Sequence, residues 1–266
     1  MTLNKNTEIC IGIIALVLLG YAIWSGGAQG GISKNVEILK SVRNLPIEKE
    51  EVIYFPGADG YFVHPADGNV YPGVVMIHEN RGLRPEIRLM AEELAKEGYM
   101  VLAVDLLGAV VETQEEARVL TAEFNQLRGI ENMRMAVEFL KKQGVEKIAS
   151  LGWCFGGAQS LELALSGEEL DATIIYYGRL PADMSVLAPV KWPVLGIFGA
   201  EDQVISVENV NTFEKALNDS GIYNEIYIYP GVGHAFANPS GNNYAPEETE
   251  DAWGKTLKFL ENSLKN

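Results

Sequence analysis

The sequence predicts an α/β fold: a mostly parallel, doubly wound sheet flanked by helices. A continuous apolar run of strand length stands at Gly73 to His78, followed by largely apolar runs at Tyr99 to Val104 and Lys147 to Leu151 and by further strands at Thr173 to Tyr177, Val194 to Phe198 and Glu225 to Tyr229. Runs that are apolar at every position, rather than at every second one, belong to strands buried on both faces. Segments with helical spacing lie between them, and strands alternating with helices imply crossover connections in a parallel sheet.

The individual elements follow from local signals. Glu50 to Phe55 and Tyr61 to His64 read as a hairpin, with its turn near Gly57-Ala58-Asp59-Gly60. Pro85 to Lys96 sets Ile87, Met90 and Leu94 on one helical face and closes at Gly98. Thr113 to Lys142 is mostly helical, with Leu120, Phe124, Leu127, Met133, Val137 and Leu140 on one side and Gly129 as the expected interruption. Further helices are expected from Cys154 to Leu165, Val207 to Asp219 and Pro246 to Leu264. In such sheets the functional site lies at the carboxyl ends of the strands.

The chain has 266 residues, 47% of them hydrophobic. That suffices for one large domain with a buried core. The expected organisation is a hydrophobic segment at residues 1–28, a linker and lead-in at 29–48, and the main domain at 49–266. The run Ile9 to Trp24 reads as an N-terminal hydrophobic helix, either a signal peptide or an uncleaved membrane anchor. Either way the main domain would lie outside the cytoplasm, and only an uncleaved helix would attach it to the membrane. The formal charge of −15 argues against a nucleic-acid partner, which needs a basic patch. There are two cysteines, Cys10 and Cys154, and three histidines. No disulfide framework or metal-ligand spacing emerges, so neither a metal nor a cofactor is expected.

The most informative segment is Gly152-Trp153-Cys154-Phe155-Gly156-Gly157, directly after one apolar run and directly before a helical pattern. It has the form of a nucleophile elbow with cysteine at its apex. Glycines on both sides relieve the crowding of a sharp strand-to-helix turn. Cys154 would sit at a helix N-terminus, where unpaired N–H groups favour a thiolate. A buried structural cysteine before a Gly-rich helix start is the competing interpretation. Asp202 follows the run Val194 to Phe198, and His234 follows Glu225 to Tyr229. Nucleophile, acid, histidine is the chain order of the α/β-hydrolase fold. The imidazole would take the thiol proton and return it to the leaving group, while the carboxylate fixes the ring tautomer. Glu201 is a neighbouring rival for the acid. Singly, Asp202 also fits a turn or helix cap, and His234 a loop histidine bonded to backbone.

With these segments in place the chain resembles the dienelactone hydrolase family of α/β-hydrolases. The resemblance is carried by His78-Glu79-Asn80-Arg81-Gly82-Leu83, the Cys154 elbow, Tyr176-Tyr177-Gly178, Gly199-Ala200-Glu201-Asp202 and Gly233-His234-Ala235-Phe236-Ala237, and it spans about Glu50 to the C-terminus. It implies a part for Glu79 in controlling the resting thiol: a carboxylate there would hold the thiol neutral until substrate displaces it. A loop-capping carboxylate paired with Arg81 is the alternative for Glu79. The oxyanion hole is expected from the backbone N–H groups of Phe155 and Asn80. Arg81, Trp153, Tyr177 and Phe236 are the expected substrate-binding residues, with Tyr176 as a further candidate whose alternative is an ordinary core aromatic. Two arginines that the family uses to bind a substrate carboxylate are absent; Asn238 stands where one is expected. The resemblance thus implies hydrolysis of a small-molecule carboxylic ester or lactone, rather than an anionic lactone. Two other functions compete: a membrane-attached binding or assembly subunit with a vestigial site, and a thiol-transfer role, for which the main domain lacks a resolving cysteine.

Overall fold

The computed structural model describes residues 41–266. The hydrophobic run Ile9 to Trp24, Cys10 and the Gly-rich linker lie outside the described residues. Among the described residues no helix is long and apolar enough to cross a membrane.

Eight strands form one sheet in the order β1-β2-β4-β3-β5-β6-β7-β8. They are β1 (Ile47–Phe55), β2 (Ala58–Pro65), β3 (Gly73–Ile77), β4 (Met100–Val104), β5 (Ile148–Trp153), β6 (Ala172–Tyr176), β7 (Val194–Gly199) and β8 (Asn224–Tyr229). β1 pairs antiparallel with β2, and β2 with β4; every other pairing is parallel. β1 starts two residues inside the expected lead-in segment. The hairpin turn is tighter than expected, at Pro56-Gly57, where Gly57 takes a positive φ of 78°. The run from Ala58 to Gly60 instead pairs with β1, with Ala58 and Gly60 buried and Asp59 exposed between them.

Helices α1 (Pro85–Lys96) and α6 (Pro246–Leu260) cover one face. Ile87, Met90, Leu94, Trp253 and Phe259 bury there against Val74, Met76 and Leu151. α3 (Gln126–Lys142), α4 (Phe155–Leu165) and α5 (Val207–Asp219) cover the other, with Met133, Val137, Leu161 and Phe213 against Val75, Ile77 and Phe198. Alternation along each strand accounts for the split between faces.

The long helix expected from Thr113 to Lys142 is two helices. α2 (Gln114–Ala122) begins in a capping box, with Thr113 accepting from the Glu116 N–H and the Glu116 carboxylate accepting from the Thr113 N–H. α3 restarts at Asn125, whose side chain caps the Arg128 N–H at 3.0 Å. The break therefore falls at residues 123–125, ahead of Gly129, which is helical. Gly129 serves packing instead: a Cβ there would lie 2.2 Å from the Phe124 ring. Phe124 in turn meets Phe155 edge-on at 5.0 Å between ring centroids. A network from Tyr54 through Asn132 to the Asp105 carbonyl ties β1, α3 and the end of β4 together.

Gly129→Ala weighs two effects of opposite sign. Alanine is a better helix former by about 1 kcal/mol. Overpacking of a filled site costs about 1–3 kcal/mol. The 2.2 Å approach puts the clash in control. We expect a net loss of stability and a lower denaturant midpoint in urea unfolding; a stabilised variant would show that Phe124 is not held by this glycine.

Candidate active site

Five strands deliver side chains to one place at the carboxyl edge of the sheet. β3 leads to Glu79 and Asn80, β5 to Cys154, β6 to Tyr177, β7 to Asp202 and β8 to His234. Cys154 has φ 52° and ψ −111°, a conformation that side-chain-bearing residues rarely adopt. Glycines permit it. A Cβ on Gly152 would lie 2.1 Å from the Gly156 carbonyl oxygen, and one on Gly156 would lie 2.3 Å from the Ile77 carbonyl oxygen. The helix start therefore presses directly on the end of β3. Among the described residues four non-glycine residues have positive φ, and three of them, Cys154, Tyr177 and Ala235, are in this site.

The His234 Nδ1 lies 2.8 Å from Asp202 Oδ2. An ionised carboxyl only accepts, so Nδ1 carries the proton and Nε2 is left as acceptor. Nε2 lies 3.1 Å from the Cys154 Sγ. Asp202 is buried, and its other oxygen accepts the N–H groups of Val204 at 2.7 Å and Ile205 at 3.0 Å. Glu201, the rival acid, is exposed, and its hydrogen bonds involve only its backbone.

Glu79 receives hydrogen bonds from the Tyr177 hydroxyl at 3.4 Å and from the Asn238 amide. Asn238 Oδ1 accepts from the Ser240 N–H at 2.9 Å and lies 2.8 Å from the Ser240 hydroxyl. The same hydroxyl lies 3.1 Å from Oε1 of Glu86, a buried carboxylate that Arg84 pairs with at 2.9 Å. Burial, reinforced by the Glu86 charge, pushes the Glu79 carboxyl up to about 7. Burial and then the Glu79 charge push the Cys154 thiol up to about 12. The N–H of Phe155 opposes this by pointing at the sulfur, without reversing it. At rest the Cys154 thiol is held neutral, as the resemblance implies: desolvation outweighs the helix end that alone would favour a thiolate.

The expected substrate-binding residues separate. Arg81 and Tyr177 line cavities beside Cys154. Trp153 and Phe236 do not. Trp153 follows Leu151 on the face covered by α1 and α6, and packs on Tyr176 at 5.4 Å. Phe236 is fully buried between Tyr177 and Tyr229. Tyr176 is also a core residue, donating to the Ala252 carbonyl at 3.1 Å. Glu79 is held by Tyr177 and Asn238 and does not serve as a cap paired with Arg81. Sequence reasoning missed Ser240, Asn242, Asn243, Ala158 and Ile205, which also line the cavities. They lie in loops or at one helical position, where no periodic signal marks them; Asn238 is marked only by the arginine it replaces. His78 is buried and ties two loops, its Nδ1–H donating to the Glu79 carbonyl and its Nε2 accepting the Leu106 N–H at 3.1 Å.

A mostly parallel sheet in this strand order, with a strained cysteine on an elbow and a histidine bonded to an acid, defines an α/β-hydrolase. The family model of the dienelactone hydrolase family matches residues 58–264. A protein of Saccharolobus solfataricus provisionally named carboxymethylenebutenolidase is 31% identical over 70% of this chain and 88% of its own. Protein usf of Aquifex pyrophilus is 29% identical over 77% of this chain and 93% of its own. The crystal structure of P91, a dienelactone hydrolase-like promiscuous phosphotriesterase from metagenomic libraries, shares the fold with a TM-score of 0.75 at 24% identity, covering 82% of this chain and 99% of that one. The chain belongs to the dienelactone hydrolase family, and it is a hydrolase of that family.

The charge beside the thiol yields a sign that can be checked. Glu79→Gln removes a negative group that opposes thiolate formation. Alkylation of Cys154 by iodoacetamide at pH 8 should be faster in that variant, and its pH profile should move to lower pH. An unmoved profile would show that Glu79 does not act on the sulfur.

Proposed function

We propose that this protein hydrolyses carboxylic esters or lactones, with Cys154 as nucleophile, His234 as general base and acid, and Asp202 as the group that orients the ring. The observation that carries this reading is the unbroken hydrogen-bonded chain from Sγ through the imidazole to a buried carboxylate, at 3.1 and 2.8 Å. The name of the Saccharolobus relative, a lactone hydrolase, supports the substrate class.

In the first step the Sγ–H proton passes to Nε2 as sulfur adds to the carbonyl carbon, and the carbonyl electron pair moves to oxygen. The N–H groups of Phe155 and Asn80 would hold that oxygen. The tetrahedral adduct collapses, the C–O bond breaks, and the leaving alkoxide takes the proton from Nε2. Water then loses a proton to Nε2 as it adds to the thioester. Collapse expels sulfur, which regains the proton. With a lactone the leaving alcohol stays tethered to the acyl group.

Glu79 controls the first step. While it faces the sulfur, its charge and the burial of the site keep the thiol protonated. Substrate entering the adjoining cavity displaces the carboxylate and lifts the repulsion, so the nucleophile forms only when it is needed. The alternative of a binding subunit with a vestigial site draws no support from the comparisons: the matching family is that of dienelactone hydrolases, and the Saccharolobus relative carries a hydrolase's name.

The test is turnover of activated short-chain esters and lactones. Cys154→Ala should abolish it. Asp202→Asn keeps the shape but favours the wrong tautomer, and should lower kcat by about 10⁴-fold, the scale set by the equivalent change in a serine triad. Equal turnover in wild type and Cys154→Ala would remove Cys154 as nucleophile.

A further inference from the structure

Two cavities share Asn80, Cys154 and His234 in their walls, and they differ in chemistry. The first, of about 440 Å³, is bounded by Glu79, Arg81, Gln114, Asn238, Asn242 and Asn243. Its only apolar side chain is Ala235. No hydrogen bond ties the Arg81 guanidinium or the Asn242 amide to the described residues, and Arg81 acts on the neighbouring Glu79 through its charge alone. The second, of about 620 Å³, is walled by Phe124, Phe155, Ala158, Tyr177, Val204 and Ile205. The polar groups in that wall are largely occupied: Gln126 and Gln159 bond each other at 2.7 and 3.1 Å, Thr121 donates to the Ala117 carbonyl, and Arg118 pairs with Glu115. Arg179 stands exposed at its edge. What this second cavity offers next to the sulfur is apolar surface.

We propose that the substrate is an ester joining an apolar acyl chain to a polar, hydroxyl-bearing alcohol, with the acyl chain in the Phe155–Ile205 cavity and the alcohol in the Arg81–Asn242 cavity. The inference rests on the cysteine-hydrolase reading and assigns its substrate. Microscopic reversibility sets the direction. The water that cleaves the acyl-enzyme must approach where the alcohol departed, because His234 serves both. That side must therefore be hydrated, and the polar cavity is the one that holds water well. The acyl chain gains by leaving water, and the apolar cavity is where it can do so. The guanidinium and amide N–H groups beside the leaving group would donate to hydroxyl oxygens of the alcohol.

Two ester series with the full-length protein test this: glycerol monoesters from acetyl to octanoyl, and acetates of alcohols from methyl to octyl. We expect kcat/KM to rise about three- to fourfold per methylene along the first series until the cavity is filled, with no such rise along the second. Ala158→Trp, which occupies the apolar cavity, should flatten the rise; if that variant does not fold, Val204→Trp at an exposed position probes the same wall. Alkyl methanethiosulfonates of increasing chain length give a measure independent of turnover, because Cys154 labelling relative to glutathione should rise with length. Flat glycerol-ester and labelling series, or a rise confined to the alkyl acetates, would overturn the assignment. Labelling that rises with length in a protein that turns over no ester would keep the apolar cavity and sink the hydrolase reading; flat labelling there would sink both.

Discussion

The approach of the α4 N-terminus to the end of β3 is the contact on which the site depends. Gly156 packs against the carbonyls of Ile77 and His78, and Gly152 against the Gly156 carbonyl, with no room for a side chain at either glycine. That contact forces Cys154 into its positive φ, a conformation worth about 1–3 kcal/mol of strain. It also brings the peptide after β3 beside the sulfur, so that Asn80 and Phe155 share one locus. The strained turn thus brings two distant stretches of chain into the wall of one cavity. β5, which leads into the turn, is held between β3 and β6 by parallel pairing on both sides.

Electrostatics at this place run against the usual argument for a reactive cysteine. A helix N-terminus favours a thiolate by about 0.3–1 kcal/mol at exposed sites. Burial and a carboxylate together push the thiol up to about 12. The larger effect wins, and the resting sulfur is protonated. Glu79 is held up in turn by burial and by Glu86, through a chain of neutral donors, Asn238 and Ser240. A cationic partner in place of Asn238 would fix Glu79 as a carboxylate across the working range. A neutral amide leaves it titrating near neutrality, so the resting protection of the thiol is itself sensitive to pH.

Much of this was legible in the chain. Buried strands announce themselves through unbroken apolar runs, and α1 and α5 fall within the spans Pro85 to Lys96 and Val207 to Asp219. Cys154, Asp202 and His234 each follow such a run, which placed them at one sheet edge before any coordinates. The misses have physical causes. A 30-residue helical pattern broke where Asn125 could cap a new helix, because a side-chain acceptor outcompetes continuation there. Gly129 attracted attention as a breaker, whereas its small size is what the Phe124 ring requires. Trp153 and Phe236 adjoin the site residues in sequence, but strand alternation and the turn after His234 direct them into the core. The residues that shape the cavities come from loops 79–81 and 238–243 and from single helix positions, and no period marks them.

The missing arginines and the polar cavity are two views of one substitution. A site built to bind a substrate carboxylate needs cations aimed at it and ion-paired anions kept away. Here Glu79 itself lines the cavity among amides, Glu86, paired with Arg84, lies behind the Ser240 hydroxyl, and Arg81 acts on Glu79 from the same loop. Adding a substrate carboxylate would place a third negative group among them, in a partly dehydrated space where like charges repel most strongly. A neutral hydroxylated group meets no such opposition, and it can both donate to Glu79 and accept from Asn242. Displacing Glu79 from the thiol then requires a hydrogen-bonding competitor rather than a competing charge. On the proposed reading, the group that is recognised is also the group that frees the thiol, which would couple selectivity for the alcohol to formation of the thiolate.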